Sequence, residues 1–252
     1  MRRNDSQRLR LDRLLVDRGL VESREKAQGL ILAGLVLVGG QKQEKCGVLV
    51  GAEAEVRLLG EPTRYVSRGG LKLEGALEHF HVNPVAKVCL DVGASTGGFT
   101  DCLLQHGAGR VFAVDAGTNQ LDWKLRRDPR VVVLEKTNAR YLTFDRIGTL
   151  AELVTIDVSF ISVTLILPVL VPLIVSPAEL LVLVKPQFEV GKGQVGKGGI
   201  VRDPVLHQES VAKVSRTLLE LGFAQLESIE SPLPGTEGNR EFFLHAVWNP
   251  KV

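Results

Sequence analysis

A glycine-rich turn is the first segment of the chain whose residue types are suited to binding a ligand. The residues DVGASTGGF occupy positions 91 to 99 and follow the apolar residues VCL. Doubly wound α/β sheets bind nucleotides at such a turn between strand and helix, because glycine lets a ligand approach the backbone. The spacing G-x-x-x-G-G differs from the G-x-G-x-x-G of dinucleotide-binding enzymes. The candidate contacts to a cofactor are Asp91, Gly93, Ala94, Ser95, Thr96, Gly97, Gly98 and Phe99.

A second acidic residue, Asp115, ends the next apolar run, VFAVD. A carboxylate at this position accepts hydrogen bonds from the ribose hydroxyls of a bound nucleoside. S-adenosylmethionine carries a sulfonium and an ammonium group and no pyrophosphate, so an acidic turn suits it better than NAD. We therefore expect S-adenosylmethionine as the cofactor. The alternatives are that Asp91 and Asp115 merely cap turns, or that the turn serves a nicotinamide oxidoreductase.

The elements that would position these residues alternate between strand-like and helical patterns. Apolar runs typical of buried strands cover 88–92, 111–115, 131–134, 153–158 and 180–185. This alternation predicts an α/β fold with a doubly wound, mostly parallel sheet. After a helix near 204–221, strands near 223–229 and 241–248 predict an antiparallel pair at one edge of the sheet.

The first part of the chain predicts a small helical and stranded domain with a basic surface. The run LRLDRLLVDRG fits a helix that ends near Gly19, and a second helix from Ser23 to Ala33 precedes a strand at 35–38. Residues 1–72 hold 14 basic and 9 acidic side chains, an excess of 14 − 9 = +5, which favours a polyanionic partner such as RNA. The alternative is an ordinary solvated surface. The basic side chains on the two helices are Arg10, Arg13, Arg18, Arg24 and Lys26.

Composition argues against several other functional classes. The three cysteines, Cys46, Cys89 and Cys102, have no CxxC spacing, so we expect neither disulfides nor a metal site. The most apolar stretch, 163–183, contains three prolines and predicts a helix, a turn and a strand rather than a membrane span. The basic N-terminus is not followed by an apolar stretch, so we expect a cytoplasmic protein with no membrane partner. Nothing in the sequence indicates the oligomeric state.

Two sets of motifs carry a resemblance to known families. The helix, turn, helix and strand at the start of the chain, with RLD at 10–12, LL at 14–15, RG at 18–19 and SR at 23–24, resemble the S4 RNA-binding fold. From about residue 8 to 248 the chain resembles the TlyA family of ribosomal RNA methyltransferases, which join an S4 domain to an FtsJ-like catalytic domain. The motifs are SRGGLKL (67–73), DVGASTGGFTDCLLQ (91–105), TNAR (137–140), DVSFIS (157–162), LVKPQFEVGKGQVG (183–196) and SPLPGTEGNREFF (231–243).

The resemblance implies a domain organisation and a reaction. It implies an S4-like RNA-binding domain of α+β class over 1–62, a linker and first helix over 63–85, and a Rossmann-like, S-adenosylmethionine-dependent methyltransferase domain over 86–252. It also implies 2′-O-methylation of ribose in ribosomal RNA, with cytidine as the nucleoside and ribosomal RNA or ribosomal subunits as the partner. On the same grounds we expect Asn138 of TNAR to contact the cofactor and Arg68 of SRGGLKL to contact RNA.

The resemblance further assigns a Lys-Asp-Lys-Glu catalytic set to Lys72, Asp157, Lys185 and Glu241. A ribose 2′-hydroxyl is a poor nucleophile, which must lose its proton as it attacks the sulfonium methyl group. A lysine amine serves as the base only if desolvation and a second cation lower its pKa from ~10.4. We expect Lys185 to be this base and Lys72 the second cation. Asp157, also a cofactor contact, would orient Lys185, and Glu241 would position Lys72 or the ribose.

Two hypotheses from other functional classes remain. The chain could be an RNA-binding ribosome assembly factor that keeps the methyltransferase fold without its activity. It could also be a membrane-active hemolysin, as an older name of the family suggests. The intact catalytic set argues against the first hypothesis, and the lack of an apolar span or an amphipathic membrane helix argues against the second. For Lys72 and Lys185, each considered alone, the alternative is an ordinary surface lysine with a buried aliphatic stem.

Overall fold

The computed structural model describes residues 8–21, 23–32, 34–59, 64–235 and 238–249. The chain forms two compact units that divide between residues 63 and 64. The predicted helix end at Ala33 and the expected end of the first domain at residue 62 lie outside the described residues. Each unit has a hydrophobic core of its own.

The first unit packs two short helices against short antiparallel strands, which confirms the predicted helix, turn, helix and strand. Leu11 and Ile31 are fully buried because the apolar side chains of each helix recur on one face. Strand β1 pairs with β4, and β3, β2 and β5 form a second sheet in that order. The elements are β1 (Arg8–Arg10), α1 (Leu11–Asp17), α2 (Arg24–Leu32), β2 (Val36–Val38), β3 (Gln41–Gln43), β4 (Leu49–Gly51) and β5 (Val56–Leu58).

The second unit is a doubly wound α/β domain, as the alternating pattern predicts. Its seven-stranded sheet has the order β11-β12-β10-β9-β6-β7-β8. Strands β10, β9, β6, β7 and β8 are parallel, while β12 is antiparallel to both β10 and β11. The elements are α3 (Arg68–His79), β6 (Val88–Val92), α4 (Gly98–Gln105), β7 (Arg110–Val114), α5 (Trp123–Arg126), β8 (Val131–Leu134), α6 (Phe144–Ile147), β9 (Ala151–Ile156), α7 (Leu167–Leu170), β10 (Ile174–Val184), α8 (Pro186–Glu189), α9 (Pro204–Glu220), β11 (Phe223–Glu230) and β12 (Phe242–Trp248).

The sheet of the second unit is covered on both faces. Along β6, Leu90 and Val92 belong to one hydrophobic core, and Cys89, which precedes them, belongs to the other. Successive side chains of a strand point to opposite faces, so a strand covered on both sides is apolar at nearly every position. This explains why the strands appear in the sequence as continuous apolar runs.

The reversed direction of β12 brings distant parts of the sequence to one edge of the sheet. Phe242, the first residue of β12, pairs with Val184, the last residue of β10. The start of β12 therefore lies beside the carboxyl ends of the parallel strands, where doubly wound sheets bind ligands. Three residues of the expected catalytic set lie at this end of the sheet: Asp157 follows β9, Lys185 follows β10 and Glu241 precedes β12.

Strand β10 is longer than the sequence predicts, since it begins at Ile174 rather than at residue 180. Pro177 suggests a break because proline cannot donate a ladder hydrogen bond. The pairing of β10 with β9 is irregular between Ile174 and Glu179, which accommodates the proline inside the strand. The helix, turn and strand predicted for 163–183 are present, and among the described helices none has the length and apolar character needed to cross a membrane.

Candidate active site

A cavity of about 390 Å³ lies at this edge of the sheet. Its volume falls within the range of roughly 300–1,000 Å³ that is typical of small-ligand sites. All four residues of the expected catalytic set line it, together with most of the glycine-rich turn. The lining residues are Ser67, Arg68, Gly69, Lys72, Gly93, Ala94, Ser95, Thr96, Gly98, Phe99, Asp157, Ser159, Lys185, Pro234 and Glu241.

Lys185 and Asp157 form an ion pair in the wall of this cavity. They follow neighbouring parallel strands, β10 and β9, so their side chains leave the sheet side by side. Lys185 Nζ lies 2.5 Å from Asp157 Oδ1 and donates a hydrogen bond to Ser159 Oγ at 3.0 Å. The ion pair with Asp157 and the hydrogen bond to Ser159 therefore hold the amine against one segment.

Lys72 and Glu241 form a second ion pair, which is more deeply buried. Lys72 lies on α3 and Glu241 directly precedes β12. Lys72 Nζ donates to Glu241 Oε2 at 2.6 Å, and the two side chains are only 10% and 4% exposed. Because each lysine in the cavity wall contacts a carboxylate, the four charges balance one another.

The glycine-rich turn is packed closely against the segments that carry these residues. Gly93 has φ +89°, and a Cβ atom on it would lie 2.4 Å from the carbonyl oxygen of Asp157. A Cβ atom on Gly98 would lie 2.2 Å from Ser67 Oγ. These contacts exclude any side chain, so the glycines serve the packing of the turn as well as access for a ligand.

Asp115 holds the glycine-rich turn through a hydrogen bond to its backbone but does not line the cavity. Its carboxylate accepts hydrogen bonds from the backbone N–H of Ser95 at 2.8 Å and of Gly117 at 2.6 Å. The side chain is half-buried. The expected contact with a ribose would therefore form at the outer rim of the turn, next to Ser95.

Asp91 is not brought to the cavity surface. It is fully buried and accepts hydrogen bonds from Thr100 Oγ1 at 2.6 Å and Thr155 Oγ1 at 3.2 Å. Burial raises the pKa of this carboxyl to about 7. The reason for its placement is that Asp91 lies inside β6 rather than after it, so its side chain points between the sheet and the layer covering it.

Two other expected cofactor contacts also lie away from the cavity wall. Asn138 is exposed, and its Oδ1 accepts a hydrogen bond from the backbone N–H of Arg140 at 3.1 Å. A Cβ atom on Gly97 would lie 2.2 Å from Leu125 Cδ1, so this glycine faces the core. Conversely, Ser67, Gly69, Ser159 and Pro234 line the cavity, although no residue pattern singles them out. Their membership in the quoted motifs was the available signal.

The basic residues expected to contact RNA in the first unit are all exposed, but two of them also have a structural role. Asp12 is fully buried and accepts hydrogen bonds from Arg10 at 3.0 Å and from Arg24 at 2.9 Å. The hydrogen bond from Arg10 holds the pKa of the Asp12 carboxyl well below its ordinary value. Arg10 and Arg24 are thus held in fixed orientations, each with about half of its side chain exposed.

The other basic residues are arranged differently. Arg18 donates to two backbone carbonyls of the turn between β4 and β5, and Arg13 lies 3.4 Å from a carboxylate oxygen of Asp17. Arg68, at the start of α3, lines the cavity and donates to the carbonyl of Pro234 at 3.3 Å. In the described part of the chain, no group of three or more histidine, cysteine, aspartate or glutamate side chains is placed to hold a metal ion.

Comparison with known proteins relates both units to families. The family model of FtsJ-like methyltransferases matches residues 65–248, and that of the S4 domain matches residues 9–56. The 16S/23S rRNA (cytidine-2′-O)-methyltransferase TlyA of Mycobacterium tuberculosis is 50% identical over 240 residues, which cover 95% of this chain and 90% of the relative.

Solved structures agree with the fold. A hemolysin-named protein from Streptococcus thermophilus is 44% identical with a TM-score of 0.75, over 97% of this chain and 90% of that chain. A protein from Listeria monocytogenes, described as an S-adenosylmethionine-dependent methyltransferase, is 16% identical with a TM-score of 0.54, over 72% of this chain and 99% of that chain. The second similarity concerns the fold alone. The predicted combination of an S4 domain with a Rossmann-like methyltransferase domain is confirmed.

Proposed function

The chain belongs to the TlyA family of FtsJ-like methyltransferases, and on this premise we propose that it methylates the 2′-hydroxyl of a cytidine ribose in ribosomal RNA. The observation that carries the proposal is the convergence of two lysine–carboxylate pairs on one cavity beside the glycine-rich turn. The name of the M. tuberculosis relative supports ribosomal RNA as the substrate and cytidine as the nucleoside.

The residues of the cavity suit S-adenosylmethionine. The backbone from Gly93 to Thr96 lines the cavity, and the missing side chain of Gly93 lets this turn lie against the segment that carries Asp157. The Asp157 carboxylate in the wall is suited to a cationic ligand, and Asp115 adjoins the same turn through Ser95. When bound, S-adenosylmethionine supplies an electrophilic methyl group on a sulfonium. The segments that would hold it are 93–96, Gly98 and Asp157, with Asp115 at the rim.

The side chains of the cavity have separate roles in this proposal. Lys185 Nζ takes the proton of the 2′-hydroxyl after the ammonium of its ion pair with Asp157 has released a proton to solvent, because only the neutral amine is a base. Asp157 and Ser159 hold Nζ in position, at 2.5 and 3.0 Å. Lys72, kept in place by Glu241, is available to donate a hydrogen bond to a ribose oxygen. Holding reacting groups in a fixed relative position contributes much of the rate enhancement in reactions that depend on alignment.

The substrate RNA would be bound by the basic residues of the S4 unit and by Arg68 at the cavity. Phosphate contacts from arginine and lysine position RNA without reading its sequence. The target nucleotide would have to leave its stack for the ribose to enter the cavity, as in other enzymes that modify single nucleotides. We place the reaction in the cytoplasm, with ribosomal subunits as the partner.

The proposal is tested by incubating the purified protein with ribosomal subunits and methyl-labelled S-adenosylmethionine, followed by mapping of methylated nucleotides. We expect label on the 2′-oxygen of cytidine. Lys185→Ala should abolish transfer, while the affinity for S-adenosylmethionine measured by calorimetry stays within about threefold, or ~0.7 kcal/mol.

Lys87→Ala is the matched control. Lys87 also contacts a carboxylate, Glu179 Oε2 at 2.6 Å, but does not line the cavity, so this variant should keep full transfer. Label on a base rather than a ribose would contradict the proposed reaction. Full transfer by Lys185→Ala would show that another group is the base.

A further inference from the structure

A buried carboxylate that the proposed mechanism does not use follows Lys185 in the chain. Glu189 ends α8, the short helix that follows Lys185, and its side chain is 2% exposed. Its Oε1 accepts a hydrogen bond from the backbone N–H of Val163 at 2.8 Å. Its Oε2 accepts hydrogen bonds from Ser162 Oγ at 2.5 Å and from Lys213 Nζ at 3.0 Å.

These hydrogen bonds connect the two segments that carry the Lys185–Asp157 pair. Segment 157–163 follows β9 and provides both contacts of the Lys185 amine, the ion pair with Asp157 and the hydrogen bond to Ser159. Segment 185–189 follows β10 and provides the amine itself. The rings of Phe160 and Phe188 also connect them, with centroids 5.2 Å apart. The geometry of the ion pair therefore depends on how these two segments are held together.

Segment 157–163 needs such an anchor because its backbone is not in a locally preferred conformation. Phe160 has φ +64°, a region that residues other than glycine, asparagine and aspartate rarely adopt. A residue in this region persists only where the surrounding structure holds it. Two donors of this segment, the Val163 N–H and the Ser162 hydroxyl, are both directed at the Glu189 carboxylate.

We propose that Glu189 is a positioning residue, which fixes the Lys185 amine relative to Asp157 and Ser159. This inference rests on the proposed function of the same cavity. An ionised carboxylate is required because all three partners are donors, and Lys213 on α9 provides the compensating charge. A glutamine would direct its own N–H groups at the lysine or at the backbone donor, so at least one of these hydrogen bonds would not form.

The test compares Glu189→Gln with wild-type protein in the methyl-transfer assay on ribosomal subunits. We expect kcat to fall about tenfold or more, since a displacement of about 1 Å can reduce a rate by a factor of about 100. The KM values for S-adenosylmethionine and for RNA should stay within about twofold, because Glu189 does not line the cavity. A merely structural role would lower the amount of folded enzyme and would leave the kcat of the folded fraction unchanged.

Glu179→Gln is the matched control. Glu179 lies in β10, is half-buried and bonds Lys87 and His245, but lies remote from the cavity wall. This variant should keep wild-type kcat. If Glu189→Gln does not fold, Ser162→Ala removes only one hydrogen bond to the carboxylate and should still lower kcat severalfold.

Three results would each overturn the inference. They are wild-type kcat in Glu189→Gln, an equal loss of kcat in Glu179→Gln and, where Glu189→Gln does not fold, wild-type kcat in Ser162→Ala. A wild-type protein that transfers no methyl group would overturn the proposed function, and the inference with it. An active wild-type protein beside an unaffected Glu189→Gln variant would overturn the inference alone.

Discussion

The cavity contains two lysine–carboxylate ion pairs, and how deeply each pair is buried determines how much stability the protein should lose when the pair is broken. Lys72 and Glu241 are almost fully buried, whereas Asp157 keeps 23% of its side chain exposed. Removing one partner of a buried pair leaves a charge without compensation in a poorly solvating environment. The stability of the second unit should therefore be more sensitive to the Lys72–Glu241 pair.

Lys72→Met should lower the free energy of unfolding by about 3–5 kcal/mol, which is the usual cost of an uncompensated buried charge. The double variant with Lys72→Met and Glu241→Leu should recover most of that loss, because no charge is then left buried. Neither variant should transfer methyl groups. Urea unfolding and the transfer assay measure the two effects, and additive losses of stability would contradict the direct coupling of these residues.

Asp91 should give the protein a stability that depends on pH. Its pKa is raised to about 7 by burial, while an aspartate in the unfolded chain has a pKa of ~3.9. Between these values the folded state holds a proton that the unfolded state has lost, so stability decreases as the pH rises through this window and levels off above it.

Asp91→Asn removes this titration. The difference in free energy of unfolding between this variant and wild type should therefore shift in favour of the variant by about 2–3 kcal/mol as the pH rises from 5 to 8. Thermal or urea unfolding at the two pH values measures the difference, with the exposed Asp145→Asn as a control for the loss of an aspartate. A difference between Asp91→Asn and wild type that does not change with pH would mean that the carboxyl is ionised throughout.

The glycine-rich turn connects the elements of the site, and it can be tested with two matched glycines. Gly93 and Gly148 have φ +89° and +67°, but a Cβ atom would clash only at Gly93, where the Asp157 carbonyl is 2.4 Å away. Both alanine variants should lose about 1–2 kcal/mol of stability from the left-handed backbone. Only Gly93→Ala should also weaken S-adenosylmethionine binding, by about tenfold or ~1.4 kcal/mol. Equal affinities of the two variants in calorimetry would argue against this turn as the cofactor site.

Element positions could be predicted from the sequence more fully than the direction of single side chains. The strands and the antiparallel pair follow from apolar runs and turn residues, because burial on both faces leaves a strong pattern. Asp91 and Asp115 both appear at the end of such a run. The structure separates them, since Asp91 is inside β6 and Asp115 comes after β7. A difference of one or two positions decides whether a side chain reaches a cavity or the core.

The partners of the proposed catalytic side chains could be predicted only through the resemblance. Nothing in the spacing of Lys72 and Glu241 indicates that their side chains meet, because the contact depends on where the last strand enters the sheet. Ser159 and Glu189 carried no signal apart from their motifs. Their roles depend on hydrogen bonds between segments far apart in the sequence, which local patterns do not encode.

At the scale of the whole molecule, the two units should contribute separately to binding. The S4 unit provides exposed arginines, and the second unit provides the cavity. Removing residues 1–62 should weaken binding to ribosomal RNA while leaving the affinity for S-adenosylmethionine nearly unchanged. Binding titrations at several salt concentrations should also show a smaller salt dependence, because the log–log slope falls by about 0.7–0.9 for each phosphate that the shortened protein no longer neutralises. An unchanged RNA affinity and slope would contradict the assigned role of the first unit.

The position of β12 has a consequence for protein synthesis. This last strand inserts between β10 and β11 and is the element through which β11 joins the sheet, and Glu241 enters the cavity directly before it. A nascent chain that has emerged only as far as β11 therefore holds both lysines and the glycine-rich turn but lacks a carboxylate for Lys72. A product that terminates between β11 and β12 would therefore lack one residue of the proposed catalytic set, and we expect it not to methylate the ribosome that made it.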